Sequence, residues 1–255
     1  MMRPGRIVVG VLLASVLLGA CVPQAERRDE EAKREKLVAI HTQLGATYLA
    51  RNQLDVAQQE LDRALQLGPD DSQANHIMGL LQLRLKNEKK AEEYLKRAID
   101  EKPDNSDARN SYGVFLCERG RLDEADKEFR EALKNPLYRD PQQANVNAGL
   151  CRLKTSDWKG AEAYFRAALK ANPRLPAALV NMARVSLETG EPLSARGFIQ
   201  RFFAAAGDTP ESLLLAFRIE RALGAKDAQA TYAVRLRGKF PDSAEAKQLR
   251  TLTGR

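Results

Sequence analysis

The chain has 255 residues, 44% of them hydrophobic and 29% charged, with 41 Lys and Arg against 34 Asp and Glu and a formal net charge of +7. Acids and bases are interspersed along it, so the small basic excess gives no argument for nucleic acid as a partner. With residues 1–20 removed, 235 residues and a charge of +5 remain, enough for one extended array or one to two globular domains.

The first segment has a basic start (Arg3, Arg6), an apolar run from Ile7 to Leu18 and the small pair Gly19-Ala20. That is the layout of a bacterial secretory signal peptide over residues 1–20. Its apolar run of 12 residues is well short of the roughly 20 that span a bilayer. The quartet Leu18-Gly19-Ala20-Cys21 resembles the bacterial lipobox. The resemblance implies that Cys21 becomes the first residue of the mature chain and carries diacylglycerol and an N-acyl group. Each buried methylene contributes about 0.8 kcal/mol, and two or more chains together make anchoring stable where one is marginal. Val22, where an Asp would signal retention at the inner membrane, implies the inner leaflet of the outer membrane, facing the periplasm. Residues 21–37 form the lipidated N-terminus and a tether; VPQAERRDEEAKREK has no core-forming face and reads as solvated chain fraying into a first helix.

From Val38 onward the chain repeats. LGATYLARNQLDVAQQELDRALQLGPD and MGLLQLRLKNEKKAEEYLKRAIDEKPD align without a gap, and Gly45 to Gly79 and Pro69 to Pro103 are both 34 residues apart. This is the period of the tetratricopeptide repeat, and the chain resembles that family residue by residue. Position eight, where two helices cross closely, is Gly45, Gly79, Gly113 and Gly149. Position twenty is Ala57, Ala91, Ala125, Ala161 and Ala195, and position twenty-four, a large apolar knob, is Leu61, Leu95, Phe129, Phe165 and Ile199. Position twenty-seven is Ala64, Ala98, Ala132 and Ala168, becoming Phe202, and Pro69, Pro103, Pro173 and Pro241 close their repeats.

The expected fold is all-α, a tetratricopeptide-repeat superhelix of about six helix-turn-helix units at 38–71, 72–105, 106–141, 142–175, 176–209 and 210–243, with a capping segment at 244–255. The third carries the longer loop NPLYRDPQ; the fifth has Ala183 for glycine, Gly207 for proline and Pro192 at the start of its second helix, where a missing amide hydrogen does no harm. The sixth is degenerate. Each hairpin buries only part of its apolar face, so stacking supplies the rest and the first helices line a concave surface.

No catalytic, cofactor-binding or metal-binding set emerges, and the chain does not read as an enzyme. His41 and His76 lie on first helices without companions at metal-ligand spacing. The serines lack a nucleophile motif, the glycines follow the repeat period, and Trp158 stands where Leu54 and Leu122 stand in other repeats, a packing position. Cys117 and Cys151 lie on first helices of adjacent repeats. They form either a disulfide across the irregular loop, contributing about 2 to 4 kcal/mol, or two buried thiols acting as small hydrophobes. Candidate groove residues, from first-helix positions that face the concavity in such repeats, are Thr42, Ala46, Leu49, His76, Leu80, Leu83, Asn110, Val114, Val146 and Leu150. Several are apolar, which favours an apolar or amphipathic segment as ligand, although some pack against neighbouring helices.

The lipobox, the short charged tether, HTQLGATYLARNQLDVAQQELDRAL, NSYGVFLCERGRLDEADKEFREAL and the Cys117 and Cys151 pair together are similar to the PilF/PilW family of type IV pilus biogenesis lipoproteins, the pilotins of the pilus secretin. The resemblance implies a scaffold, anchored through lipid in the outer membrane, that binds type IV pilus secretin subunits and delivers them there for multimerisation, pilus emergence and twitching motility; the sequence itself does not fix the oligomeric state, and a monomer is the expectation. Two other clients fit the same architecture: β-barrel precursors, for an adaptor of barrel assembly, and a cell-wall enzyme that the repeats activate.

Overall fold

The computed structural model describes residues 24–254, which form thirteen α-helices and, among the described residues, no strand. Six hairpins follow in chain order: α1 (Gln24–Ala50) with α2 (Leu54–Leu67), α3 (Ser72–Arg84) with α4 (Glu88–Glu101), and α5 (Ser106–Glu118) with α6 (Leu122–Lys134). Then come α7 (Pro141–Leu153) with α8 (Trp158–Ala171), α9 (Pro176–Glu188) with α10 (Pro192–Ala206), α11 (Pro210–Ala222) with α12 (Lys226–Lys239), and a last helix, α13 (Ala244–Thr253). The chain is thus a tetratricopeptide-repeat superhelix, as its period predicts.

The helices begin and end where local chemistry dictates. Side chains of Asp71, Asn105, Asp157 and Ser243 accept the backbone N–H three residues on, at 2.7 to 3.0 Å, which satisfies donors with no partner inside the helix. Pro141, Pro176, Pro192 and Pro210 start α7, α9, α10 and α11, where a preset φ helps and the missing N–H costs nothing. Within every hairpin the turn passes through one left-handed residue: Asn52, Lys86, Gly120, Ser156, Gly190 and Gly224, with φ from +56° to +82°. The spacing of these six is the repeat period, lengthened to 36 between Gly120 and Ser156 by the NPLYRDPQ loop.

Helices cross closely inside the first four hairpins. A Cβ at Gly45, Gly79, Gly113 or Gly149 would lie 2.6 to 2.8 Å from the knob of its own second helix, Leu61, Leu95, Phe129 or Phe165. Those knobs are at most 1% exposed, and burying one such side chain contributes about 1.5 to 3 kcal/mol. In the fifth hairpin Ala183 takes the glycine's place, both Ala183 and the knob Ile199 being fully buried. First helices also touch one another, α1 with α3, α3 with α5, α5 with α7, and α9 with α11, so they form the inner layer and the second helices the outer one. At the far end Leu249 and Ala246 of α13 join Leu213, Phe217, Ala233 and Leu236 in the last core cluster.

The tether differs from expectation. From Gln24 it continues α1, with the assigned side chains of residues 24–37 exposed. ERRDEEAKREK is rich in strong helix formers, and Asp29 to Lys33 and Glu30 to Arg34 have the spacing and order that support an isolated helix. Residues 1–20 and Cys21 lie outside the described residues.

Candidate functional site: the inner surface of the superhelix

Position nine of each first helix draws the inner surface. In the first four repeats it is Ala46, Leu80, Val114 and Leu150, the first three part-exposed and Leu150 40% exposed. Leu49 and Leu83 extend the apolar character one turn further, each part-exposed. Asn110 adds a polar point: it accepts a hydrogen bond from Asn147 Nδ2 at 3.0 Å, tying α5 to α7. Between these helices Val114, Cys117, Asn147, Leu150, Cys151 and Lys154 line a depression of about 240 Å³. Lys154 Nζ closes one side by donating to the Cys117 carbonyl at 2.9 Å.

Three of the expected groove residues are corrected. Thr42, His76 and Val146 are 5%, 5% and 1% exposed. All three occupy position five, which in these repeats turns into the seam between neighbouring first helices once the hairpins stack, whereas Asn110 at the same position stays part-exposed. His76 Nε2 lies 2.8 Å from Ser111 Oγ across the seam from α3 to α5, while its Nδ1 and Thr42 Oγ1 are buried without a protein partner. Burial pulls the His76 imidazole down to about 4. His41 bonds Glu60 at 2.7 Å and Arg63 bonds the same carboxylate at 2.9 Å, a tie between α1 and α2. Trp158 packs part-buried against the largest core cluster.

Beneath the depression Cys117 and Cys151 are joined in a disulfide, with Cα atoms 5.8 Å apart, linking α5 to α7. Two polar ties of one design flank it on the outside. Glu92 of α4 receives Tyr112 Oη at 3.0 Å and Arg121 Nη1 at 2.7 Å. Burial would push the Glu92 carboxyl up, but hydrogen bonds from Arg121, Lys96 and Tyr112 outweigh it and hold the carboxyl down at about 2. One repeat later Asp126 receives Tyr164 Oη at 2.8 Å and Arg152 Nη2 at 2.6 Å. Each tie binds a second helix to the next hairpin, so the walls of the depression are held from both layers.

Continuing position nine through the last two repeats reveals residues not picked out from the sequence. Here it becomes Arg184 and Arg218. Arg184 of α9 pairs with Glu211 of α11, and Arg218 of α11 pairs with Glu188 of α9 at 2.9 Å. These reciprocal pairs give the inner surface a second, charged half. The signal was present at the same repeat position and needed only to be followed two repeats further.

The tetratricopeptide-repeat profile matches residues 42–106, 116–176 and 146–210, and a second profile of that repeat matches 82–136. The type IV pilus assembly protein PilF of Pseudomonas aeruginosa is 27% identical over 240 residues, covering 93% of this chain and 95% of that protein. The solved structure of P. aeruginosa PilF superposes with a TM-score of 0.79 at 27% identity, over 86% of this chain and 99% of that one. PilW, described as a widely conserved type IV pilus biogenesis factor, superposes with a TM-score of 0.75 at 32% identity, over 85% and 98%. With its repeats, its length and its fold shared with both, the chain belongs to the tetratricopeptide-repeat family and, within it, to the type IV pilus biogenesis proteins represented by PilF and PilW.

Proposed function

We propose that this protein is an outer-membrane lipoprotein scaffold that binds type IV pilus secretin subunits and promotes their delivery to the outer membrane and their multimerisation. The observation that carries the reading is the apolar inner stripe of Ala46, Leu80, Val114 and Leu150 in a chain related throughout its length to PilF. Such a stripe, walled by rigid first helices, suits an apolar or amphipathic segment of a client whose own apolar surface is not yet buried in an assembled ring. Binding and release need no covalent chemistry, so the scaffold is not an enzyme. Cys21, as the lipidated residue, confines scaffold and client to one membrane surface and raises their effective concentration there.

The test is fractionation of the secretin from cells with the wild-type protein, a deletion, or Cys21→Ala, scoring SDS-resistant multimers in inner and outer membranes. Loss of multimers in the deletion and their appearance in the inner membrane with Cys21→Ala is the expected result. Secretin multimers unchanged in both strains, with other outer-membrane barrels accumulating unfolded, would overturn it.

A further inference from the structure

The outer layer of the superhelix changes sign halfway along. Helices α2, α4 and α6 together carry 8 Lys and Arg against 13 Asp and Glu, whereas α8, α10 and α12 carry 9 against 2. The charges that are interspersed along the sequence are therefore sorted in space by repeat.

Part of the basic excess is used internally: Arg166 pairs with Glu162, Arg196 with Glu220, and Arg235 and Lys239 with Asp208. Lys159, Lys170, Arg201, Lys226 and Arg237 are exposed. Among the described residues none of the five is in an ion pair; Arg201 and Arg237 donate to the backbone carbonyls of Pro173 and Ala233, and the Arg201 guanidinium also lies over the Phe198 ring, 5.5 Å from its centre. Amid these bases two large apolar side chains stand clear of the surface, Leu193 at 70% and Val234 at 66% exposed. The positions between are small: Gly197, Ala230 and Gly238 are exposed, with open space where a Cβ would be at both glycines.

We propose that this outer face of the last three repeats docks on an anionic phospholipid surface. Its five unpaired bases are spread over three outer helices, with Lys226 bordering a depression beside Arg196 and Glu220 and the others lying apart from it. That distribution matches a layer of phosphates better than a single acidic side chain or peptide. Long Lys and Arg side chains reach a headgroup layer while isolated aliphatic residues enter the boundary beneath it. The opposite balance on α2, α4 and α6 makes the first half of the outer layer unattractive to the same surface, which gives the docked molecule a defined orientation. This contact goes beyond the secretin-scaffold reading and requires neither the lipid at Cys21 nor a client.

The test uses the full chain with Cys21→Ala, so that no acyl chain contributes, and measures its partition into phosphatidylcholine vesicles with and without phosphatidylglycerol. Residues 1–20 are present in every variant compared. Partition is expected to rise with phosphatidylglycerol and to fall as salt is added. Near an anionic surface each base contributes on the order of five-fold. Lys159→Glu/Lys170→Glu/Arg201→Glu/Arg237→Glu should therefore lower partition into the anionic vesicles at least about 100-fold. Lys89→Glu/Lys90→Glu/Lys127→Glu/Lys134→Glu on α4 and α6 should leave it within about two-fold, as residues remote from the docked face contribute little. Equal losses in the two variants, or no dependence of the parent on phosphatidylglycerol, overturn the proposal. Because residues 1–20 are themselves basic and apolar, only differences between variants count in its favour. If circular dichroism shows that the quadruple variant unfolds, Lys159→Glu/Lys170→Glu and Arg201→Glu/Arg237→Glu, each expected to lower partition about 25-fold, replace it, and no loss in either overturns the proposal.

Discussion

Replacing Gly149 with Ala inserts one methyl group where two helices cross. Its Cβ would sit 2.6 Å from Phe165 Cε1 and 2.8 Å from Cζ, so the ring must retreat by about 1 Å to restore ordinary contact. Phe165 is fully buried in the largest core cluster, among Ala161, Leu179 and Met182. Overpacking of this kind costs about 1 to 3 kcal/mol, while Ala returns about 1 kcal/mol of helix propensity lost by Gly. The net expectation is a loss of up to about 2 kcal/mol. Gly197 supplies the internal control: it lies within α10 with nothing inside 4 Å of its would-be Cβ, so Gly197→Ala should gain about 0.5 to 1 kcal/mol. Urea unfolding with unchanged slope reads both as shifts in midpoint of opposite sign. If Gly149→Ala stabilises as much as Gly197→Ala, the close crossing is not what reserves position eight for glycine.

Three further outcomes are expected. Opening the Cys117 to Cys151 bond, which closes 34 residues, should lower stability by up to about 4 kcal/mol in the chain-entropy account; equal unfolding midpoints with and without reductant would contradict this. His76 has a folded-state pKa of about 4, below its ordinary 6.5, so between those values the unfolded chain binds the extra proton first. Stability should fall as pH drops through that window, by at most about 1.4 kcal/mol per pH unit, and His76→Gln should remove this part of the slope in denaturation series. On the inner surface Leu150→Glu should keep the thermal midpoint, since Leu150 is 40% exposed, yet weaken capture of purified secretin subunits about ten-fold or more; undiminished capture would move the client off this face.

The 34-residue period was legible because every hairpin meets the same packing problem. In the first four hairpins glycine stands where helices cross, alanine where they touch and a bulky residue where they interlock, so Gly113, Ala125 and Phe129 announce the fold before any coordinates exist. Turn chemistry was less legible. All six hairpin turns require a left-handed residue, but Asn52, Lys86 and Ser156 meet that need without glycine, and their side chains carry no common signal. The tether was half legible: a highly charged stretch satisfies the composition of solvated chain and the propensity of a helix alike, and continuity with α1 decides for the helix from Gln24.

What the sequence determined by itself was everything that recurs: the helical class, the repeat, the hairpin core and the residues eligible for the inner surface. Tertiary structure alone decided among the eligible. Of the four candidates at position five, stacking buries Thr42, His76 and Val146 in the seam between first helices and leaves Asn110 part-exposed, while position nine stays open in the first four repeats. It likewise sorted charges evenly mixed in sequence into two halves of an outer layer. The physical reason is that a repeat sequence encodes contacts within and between neighbours, whereas a face of the superhelix is assembled from residues about 34 apart whose side chains meet the same surroundings only after every hairpin has stacked.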